Sequence, residues 1–306
     1  MQVLVTGGAG FIGSHVVDAC IEAGHDVCVV DDLSTGKMTN LNSAARFYQA
    51  DLRDANKLEQ VFAREQPEAI CHLAAKANVR ESMEKPVLYA EVNIIGSLNL
   101  LQMARRYGTR KVVYASTGGA CYGEPLYLPA DEQHPINPLD PYGASKHTVE
   151  HYLYLYRVHY GLDYVVLRFP NVYGPRQDPN GEAGVVAIWV AQMLAGKEAV
   201  IYGSGEQERD FVYVGDIAQA NVLALTQGSA IVANLGSGVG TSINTLFDML
   251  KQSTGYTGEK KYAPAKLGEV FRIYITNHVA REELGWQPTI SLQDGLNRTV
   301  EYFRQA

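Results

Sequence analysis

Five short apolar runs recur through the first 170 residues, at 3–5, 27–30, 69–73, 112–115 and 164–169, separated by stretches long enough for helices. Unbroken apolar runs of this length suit strands covered on both faces, and strand–helix alternation suits a parallel sheet. The expected fold is therefore α/β, a doubly wound parallel sheet occupying residues 1–170. Ligands in such sheets bind beyond the carboxyl ends of the strands. The five runs are followed there by a glycine loop, Asp31-Asp32, Ala74-Ala75-Lys76, Ser116-Thr117-Gly118-Gly119 and Pro170-Asn171, each with plausible site chemistry.

The glycine loop is the sharpest of these signals. Thr6-Gly7-Gly8-Ala9-Gly10-Phe11-Ile12-Gly13 joins the first run to an amphipathic stretch that opens at Ser14. A strand, a tight turn and a helix N-terminus together hold a dinucleotide pyrophosphate, because the first N–H groups of a helix lack intrahelical acceptors and its dipole favours negative charge. Gly8, Gly10 and Gly13 have the spacing in which one glycine makes the turn, one admits phosphate and one lets helix pack on strand. Gly7, Phe11 and Ile12 belong to the same turn. Spaced glycines alone could be an ordinary turn; the flanking strand and helix make this a Rossmann fingerprint. Asp31, with Asp32 beside it, ends the second run, where an acid accepts both hydroxyls of an adenosine ribose and repels a 2′-phosphate. Lys37 is the only nearby cation, so the expected cofactor is NAD ahead of NADP.

A chain of 306 residues, 46% hydrophobic and 19% charged, builds one sizeable domain or two intimately joined ones. Its net charge of −7 argues against nucleic-acid binding, so anionic ligands need local cations. Cys20, Cys28, Cys71 and Cys121 lack metal-ligand spacing and read as free, buried thiols, with no metal site expected. The first run starts at once, so no leader is expected, and no apolar run approaches the roughly 18 residues of a membrane span. A cytoplasmic protein, away from membranes, is expected. Beyond Asn171, Gly and Pro punctuate the chain and the alternation weakens. A smaller, discontinuous α/β substrate-binding domain is expected over 171–306, with a return to the main sheet near 208–236.

Asp140-Pro141-Tyr142-Gly143-Ala144-Ser145-Lys146 reads as a helix start, with Asp140 as N-cap and Pro141 at the first helical position. Tyr142 and Lys146 then share one helical face. An ammonium beside a phenol stabilises the phenolate and makes tyrosine a usable base, so this pair is the candidate for catalysis. The bland reading, an exposed Tyr and Lys on an amphipathic helix, fits poorly behind a Rossmann fingerprint.

Taken in order, the glycine loop, Asp31, Asp51 in Ala-Asp-Leu-Arg-Asp, Leu73-Ala74-Ala75-Lys76, Asn93, Ser116-Thr117, Tyr142-x-x-x-Lys146 and 168–175 resemble the extended short-chain dehydrogenases/reductases. The resemblance spans nearly the whole chain and is closest to the UDP-glucose 4-epimerases. It implies that Asp51 and Leu52 lie against adenine, that Leu73, Ala74, Ala75, Lys76 and Phe169 line the cofactor, and that Asn93 fixes the helix carrying the catalytic pair. It further implies a UDP-sugar substrate whose diphosphate meets Asn171 and Arg209. Lys266 and Arg272, around Glu269, are alternatives for a second cation. Many family members place the hydroxyl that binds the reacting oxygen four residues before the tyrosine of Tyr122-Gly123, but that position is Gly118. Thr117 is the expected substitute, with Ser116 behind it.

Oxidation at C4 by NAD, turnover of a 4-keto sugar and its reduction on the other face is the implied reaction. A nucleotide-sugar 4,6-dehydratase starts in the same way but needs an acid and a base after the threonine, where this chain has Gly118-Gly119. Sugar-acid decarboxylases generally keep a glutamate in this loop. Epimerases of UDP-glucuronate, of UDP-N-acetylhexosamines or of a thymidine nucleotide stay open. So does a different class, a non-catalytic NAD-binding sensor, although such proteins tend to lose the Tyr–Lys pair. The resemblance also suggests a homodimer through helices near 86–107 and 142–160.

Overall fold

The computed structural model describes residues 1–180, 184–265 and 270–305. Strands β1 (Gln2–Thr6), β2 (Asp26–Asp31), β3 (Arg46–Gln49), β4 (Ala69–His72), β5 (Lys111–Thr117) and β6 (Asp163–Phe169) form one seven-stranded sheet with the strand Ile231–Asn234. Edge to edge, the order is Ile231–Asn234, β6, β5, β4, β1, β2, β3, with every pairing parallel. The chain winds one way from β1 and restarts at β4 on its other side. At that reversal the loops part and leave a crevice at the strands' carboxyl ends.

Side chains alternate between sheet faces, so each strand feeds two cores. Val3, Val5, Val27, Val29 and Val113 meet Val16, Ile217 and Leu284 from the helices Phe11–Glu22, Val214–Ala224 and His278–Leu284. Leu4, Cys28, Val30, Ile70 and Val112 meet Phe62, Leu100 and Val149 from Ala55–Glu65, Gly96–Arg106 and Pro141–Tyr160. Burial of each such aliphatic side chain contributes roughly 1.5–3 kcal/mol. Cys20, Cys28 and Cys71 lie buried among these groups as free thiols, and Cys121 is buried in a separate cluster with Tyr122, Ala130, Ile273 and Ile275.

The stretch 208–236 supplies both Val214–Ala224 and the seventh strand. The chain also returns a second time, which the sequence did not announce. Trp286 and Leu284 join the main core, and Trp286 Nε1 donates to the Asp216 carbonyl at 2.8 Å. A separate core of Trp189, Phe247, Leu246, Leu296 and Val300 unites the helices Val185–Leu194, Ile243–Thr254 and Leu292–Gln305.

One expectation is corrected by the helical run Pro86–Arg106. Its 21 residues and hydropathy of 1.2 make it long and apolar enough to cross a membrane by length and composition. One face of it packs as a core helix does: Leu100, Leu101 and Ala104 are buried against the sheet, and the buried Asn93 and Ser97 side chains are hydrogen-bonded.

Candidate active site

The glycine turn differs in detail from the expected one. Gly7, at φ +73°, makes the turn, and a Cβ there would lie 2.8 Å from the Ala74 backbone nitrogen. Gly8 instead faces the core, where a Cβ would meet Val29 at 2.7 Å. Gly13 brings helix against turn so closely that a Cβ would stand 2.0 Å from the Gly7 carbonyl oxygen. The helix Phe11–Glu22 begins at Gly10 with no side-chain cap and no acid in its first turn. Its N–H groups and positive dipole end are thus left for an anion.

That end opens into a cleft of about 800 Å³ lined by Gly7, Gly10, Phe11, Ile12 and Gly13, and by Asp31 and Asp32 from the end of β2. The Asp31 carboxylate accepts the Ala9 N–H at 3.0 Å and the Leu33 N–H at 2.8 Å. Burial raises its pKa, and those two hydrogen bonds oppose the rise. Asp32 accepts the Ser34 N–H at 2.8 Å. Asp51 grips Arg53 at 3.0 and 2.6 Å, and that contact holds its carboxyl below the usual range. Asp51, Leu52, Leu73, Ala74, Ala75, Lys76 and Phe169 all line the cleft. A turn that excludes a Cβ, an uncapped helix end and a carboxylate at the next strand fit NAD.

Sequence reading missed a second rim. Arg176, Gln177 and Asp178 line the cleft opposite Lys37. Lys37 pairs with Asp178 at 2.8 Å, Arg176 with Asp18 at 2.7 Å, and His15 Nε2 lies 2.9 Å from the Pro175 carbonyl oxygen. The Gly/Pro texture of 174–180 marked a domain boundary and gave no sign of these long-range partners.

The helix Pro141–Tyr160 starts as its letters suggest, with Asp140 accepting the Gly143 N–H at 2.7 Å, and ends at Gly161 with φ +72°. It delivers Tyr142 and Lys146 to the cleft beside Ser116 and Thr117 from the end of β5. Lys146 is 4% exposed, with Nζ 4.4 Å from the centroid of the Tyr114 ring. Burial pushes its pKa down to about 7, against the opposing pull of Glu150. The two hydroxyls of Ser116 and Thr117 part company. Ser116 Oγ donates to Glu150 Oε1 at 2.5 Å, whereas Thr117 Oγ1 accepts the Ala120 N–H at 3.2 Å. Asn93, in the π-helical turn Ala90–Ile95, accepts the Lys76 N–H at 2.8 Å. Its amide donates to the Lys76 carbonyl at 3.0 Å and to Ser145 Oγ at 2.9 Å, tying the β4 loop to the Tyr142 helix.

Asn171 lines the cleft, its N–H donating to the Asp210 carbonyl at 2.9 Å. Arg209 and Arg272 lie outside the cleft lining, on adjacent strands Glu208–Arg209 and Arg272–Ile273. Arg209 Nη1 donates to the Glu208 carbonyl at 2.9 Å, and Arg272 Nε lies 3.5 Å from Glu208. Lys266 and Glu269 fall outside the described residues. Asp210, which the sequence did not single out, is buried and accepts N–H groups of Ser237 at 3.0 Å and Ile275 at 3.2 Å. Burial drives its pKa up to about 6.

With this geometry in view, the sequence profile of the NAD dependent epimerase/dehydratase family matches residues 3–236. The chain belongs to that family. NAD is the cofactor. The chain is 44% identical, over 310 residues, to the UDP-glucose 4-epimerase of Mycolicibacterium smegmatis, with 99% of each chain covered. Among solved structures, it superposes on a UDP-glucose 4-epimerase with UDP-glucose from Thermotoga maritima at TM-score 0.98, 50% identity and coverage of 100% and 99%. A UDP-glucose 4-epimerase complex with NAD from Thermus thermophilus gives 0.96, 44% and full coverage of both chains.

Proposed function

We propose that this chain is a UDP-glucose 4-epimerase, an isomerase interconverting UDP-galactose and UDP-glucose through a transient 4-keto sugar. One observation carries this choice over the family's dehydratases. The wall beyond Thr117 is Gly118 and Gly119: a Cβ on Gly118 would meet Ile275 at 2.4 Å, and one on Gly119 would have nothing nearer than Thr117 Oγ1 at 3.9 Å. Glycines move no protons, and elimination needs an acid and a base there.

Bound along the glycine turn, NAD supplies a reversible hydride acceptor for C4. Tyr142 takes the proton of the 4-hydroxyl. Lys146 stabilises the phenolate of the resting base, and Thr117 donates a hydrogen bond to the same sugar oxygen. With its hydroxyl spent on Glu150, Ser116 supports rather than performs this role. Asn171 and Arg209 are assigned to the nucleotide diphosphate, with either Lys266 or Arg272 as the second cation and Glu269 in the same nucleotide-binding stretch, so that UDP is gripped tightly and the hexose loosely enough to turn over. Within this reading, residues 171–306 hold the sugar nucleotide, apart from the return to the main sheet near 208–236.

Purified protein given UDP-galactose without added NAD should form UDP-glucose in a glucose-specific coupled assay, and denaturation should release NAD. Bound NAD with no conversion would redirect the assignment to UDP-glucuronate or UDP-N-acetylhexosamines. Unaltered properties in Tyr142→Phe would favour a non-catalytic sensor.

A homodimer belongs to the same proposal. Val87 and Ile95 on one helical run and Tyr154, Leu155 and Val158 on the other are exposed, between 42% and 69%. Two apolar helix faces per chain suit a four-helix interface. Free, buried thiols support a reducing, cytoplasmic location.

A further inference from the structure

Outside the reacting groups, one buried side chain near the cleft has partners on several elements: Glu150, one helical turn beyond Lys146. Ser116 Oγ donates to Oε1 at 2.5 Å, and Arg168 donates to both oxygens, Nε at 3.1 Å and Nη2 at 2.6 Å. His147 Nδ1 lies 3.1 Å from Oε2. Arg168 Nη1 donates onward to the Tyr122 hydroxyl at 2.9 Å, which donates to Asn234 Oδ1 at 2.7 Å. One carboxylate thereby joins the catalytic helix, the end of β5 beside Thr117, the end of β6 beside Phe169 and the seventh strand.

Stability alone does not call for a charge here, because apolar groups of similar volume often replace a buried ion pair without loss. Its placement has a use. The groups facing Lys146 are Tyr142 and Glu150 on its own helix, Tyr114 from β5 and His72 from β4, with Arg168 from β6 behind Glu150. His72 is buried and held neutral by that burial, its pKa pushed down to about 3. Glu150 is the only anion among them. Burial works against its charge, yet the hydrogen bonds from His147, Arg168 and Ser116 together bring its carboxyl down to about 2.

We propose that Glu150 is a positioning residue for the reaction: through Ser116 it seats the Thr117 end of β5, and through its fixed negative charge it keeps Lys146 cationic beside Tyr142. This rests on the Tyr142–Lys146 assignment above. Loss of the charge weakens the ammonium and relieves the phenolate, so the titration of the pair moves to lower pH as a unit.

The test is Glu150→Gln in the NAD-loaded enzyme. The kcat–pH profile should shift acidward by about one pH unit, with KM for UDP-galactose within about twofold of wild type, and Glu150→Asp should restore the profile. The phenolate absorbance of Tyr142, measured as the difference from Tyr142→Phe, should shift in parallel and needs no turnover. A kcat lowered equally at all pH values, with no phenolate shift, would overturn the proposal. If Glu150→Gln does not fold, the double variant Glu150→Gln/Arg168→Gln, which does not leave the Arg168 guanidinium buried without its carboxylate, takes its place. Failure of both to fold would mean that the carboxylate serves the fold alone. Wild-type protein without epimerase turnover would count against the function, while the phenolate shift would still decide the role of Glu150.

Discussion

Lys146 carries its charge where water cannot support it, and that has a measurable consequence for folding. Its folded pKa, about 7, lies below the ordinary 10.5 because burial penalises the ammonium. Between those values the unfolded chain binds more protons than the folded one, so this group makes stability rise as pH climbs from about 7 toward 10. Lys146→Met should remove that rise, and urea midpoints of the two proteins at either end of the window would show it; parallel curves would refute a dry lysine. Tyr142→Phe should lower kcat about 10²- to 10⁴-fold, the range for loss of a general base, while NAD stays bound. The motif Tyr142-x-x-x-Lys146 was legible because both residues lie on one helix. The partition between Ser116 and Thr117 was not, because it depends on Glu150, which is 34 residues away in sequence and reaches Ser116 only through the fold.

Among the elements, the π-helical turn Ala90–Ile95 does the least obvious work. A wider turn places the Asn93 amide between the β4 loop and the catalytic helix, in line with the frequent occurrence of such turns at functional sites. Asn93→Ala removes the acceptor of the part-buried Lys76 N–H, which costs about 0.5–1.5 kcal/mol, and kcat should fall with stability. Chemical denaturation alongside turnover checks this, and unchanged kcat would show that the clamp does not align the pair. The ends of Pro141–Tyr160 could be read from Asp140, Pro141 and Gly161, because capping chemistry is local. β3 could not: its Arg46-Phe47-Tyr48-Gln49 sits at the sheet edge with no residue fully buried, so no apolar run marks it. Trp286 likewise gave no sign that it returns to the first core, since a lone aromatic carries no address.

At the scale of the whole molecule, the pairs Lys37–Asp178 and Arg176–Asp18 bridge the two rims of the cofactor cleft. Pairs this exposed contribute roughly 0.2–1 kcal/mol each, so Lys37→Ala with Arg176→Ala should speed NAD release about two- to thirtyfold. Stopped-flow capture of released NAD would measure it, and wild type should approach the variant as salt is raised. Leu155→Glu should yield a monomer in sedimentation if the exposed helix faces pair; an unchanged species would place the interface elsewhere. The doubly wound sheet was legible from its five inner strands, which are buried on both faces, whereas contacts between rims roughly 140 to 160 residues apart leave no pattern in a single sequence. Asp31 then bears on how such a protein could change its coenzyme. Its oxygens hold the N–H of Ala9 in the glycine turn and of Leu33 after β2, so the group proposed to refuse a 2′-phosphate is also a rivet between two loops. A single exchange toward NADP would loosen the pyrophosphate cradle as it opened room for the phosphate, and the preference is thereby guarded by the cost of unmaking the turn.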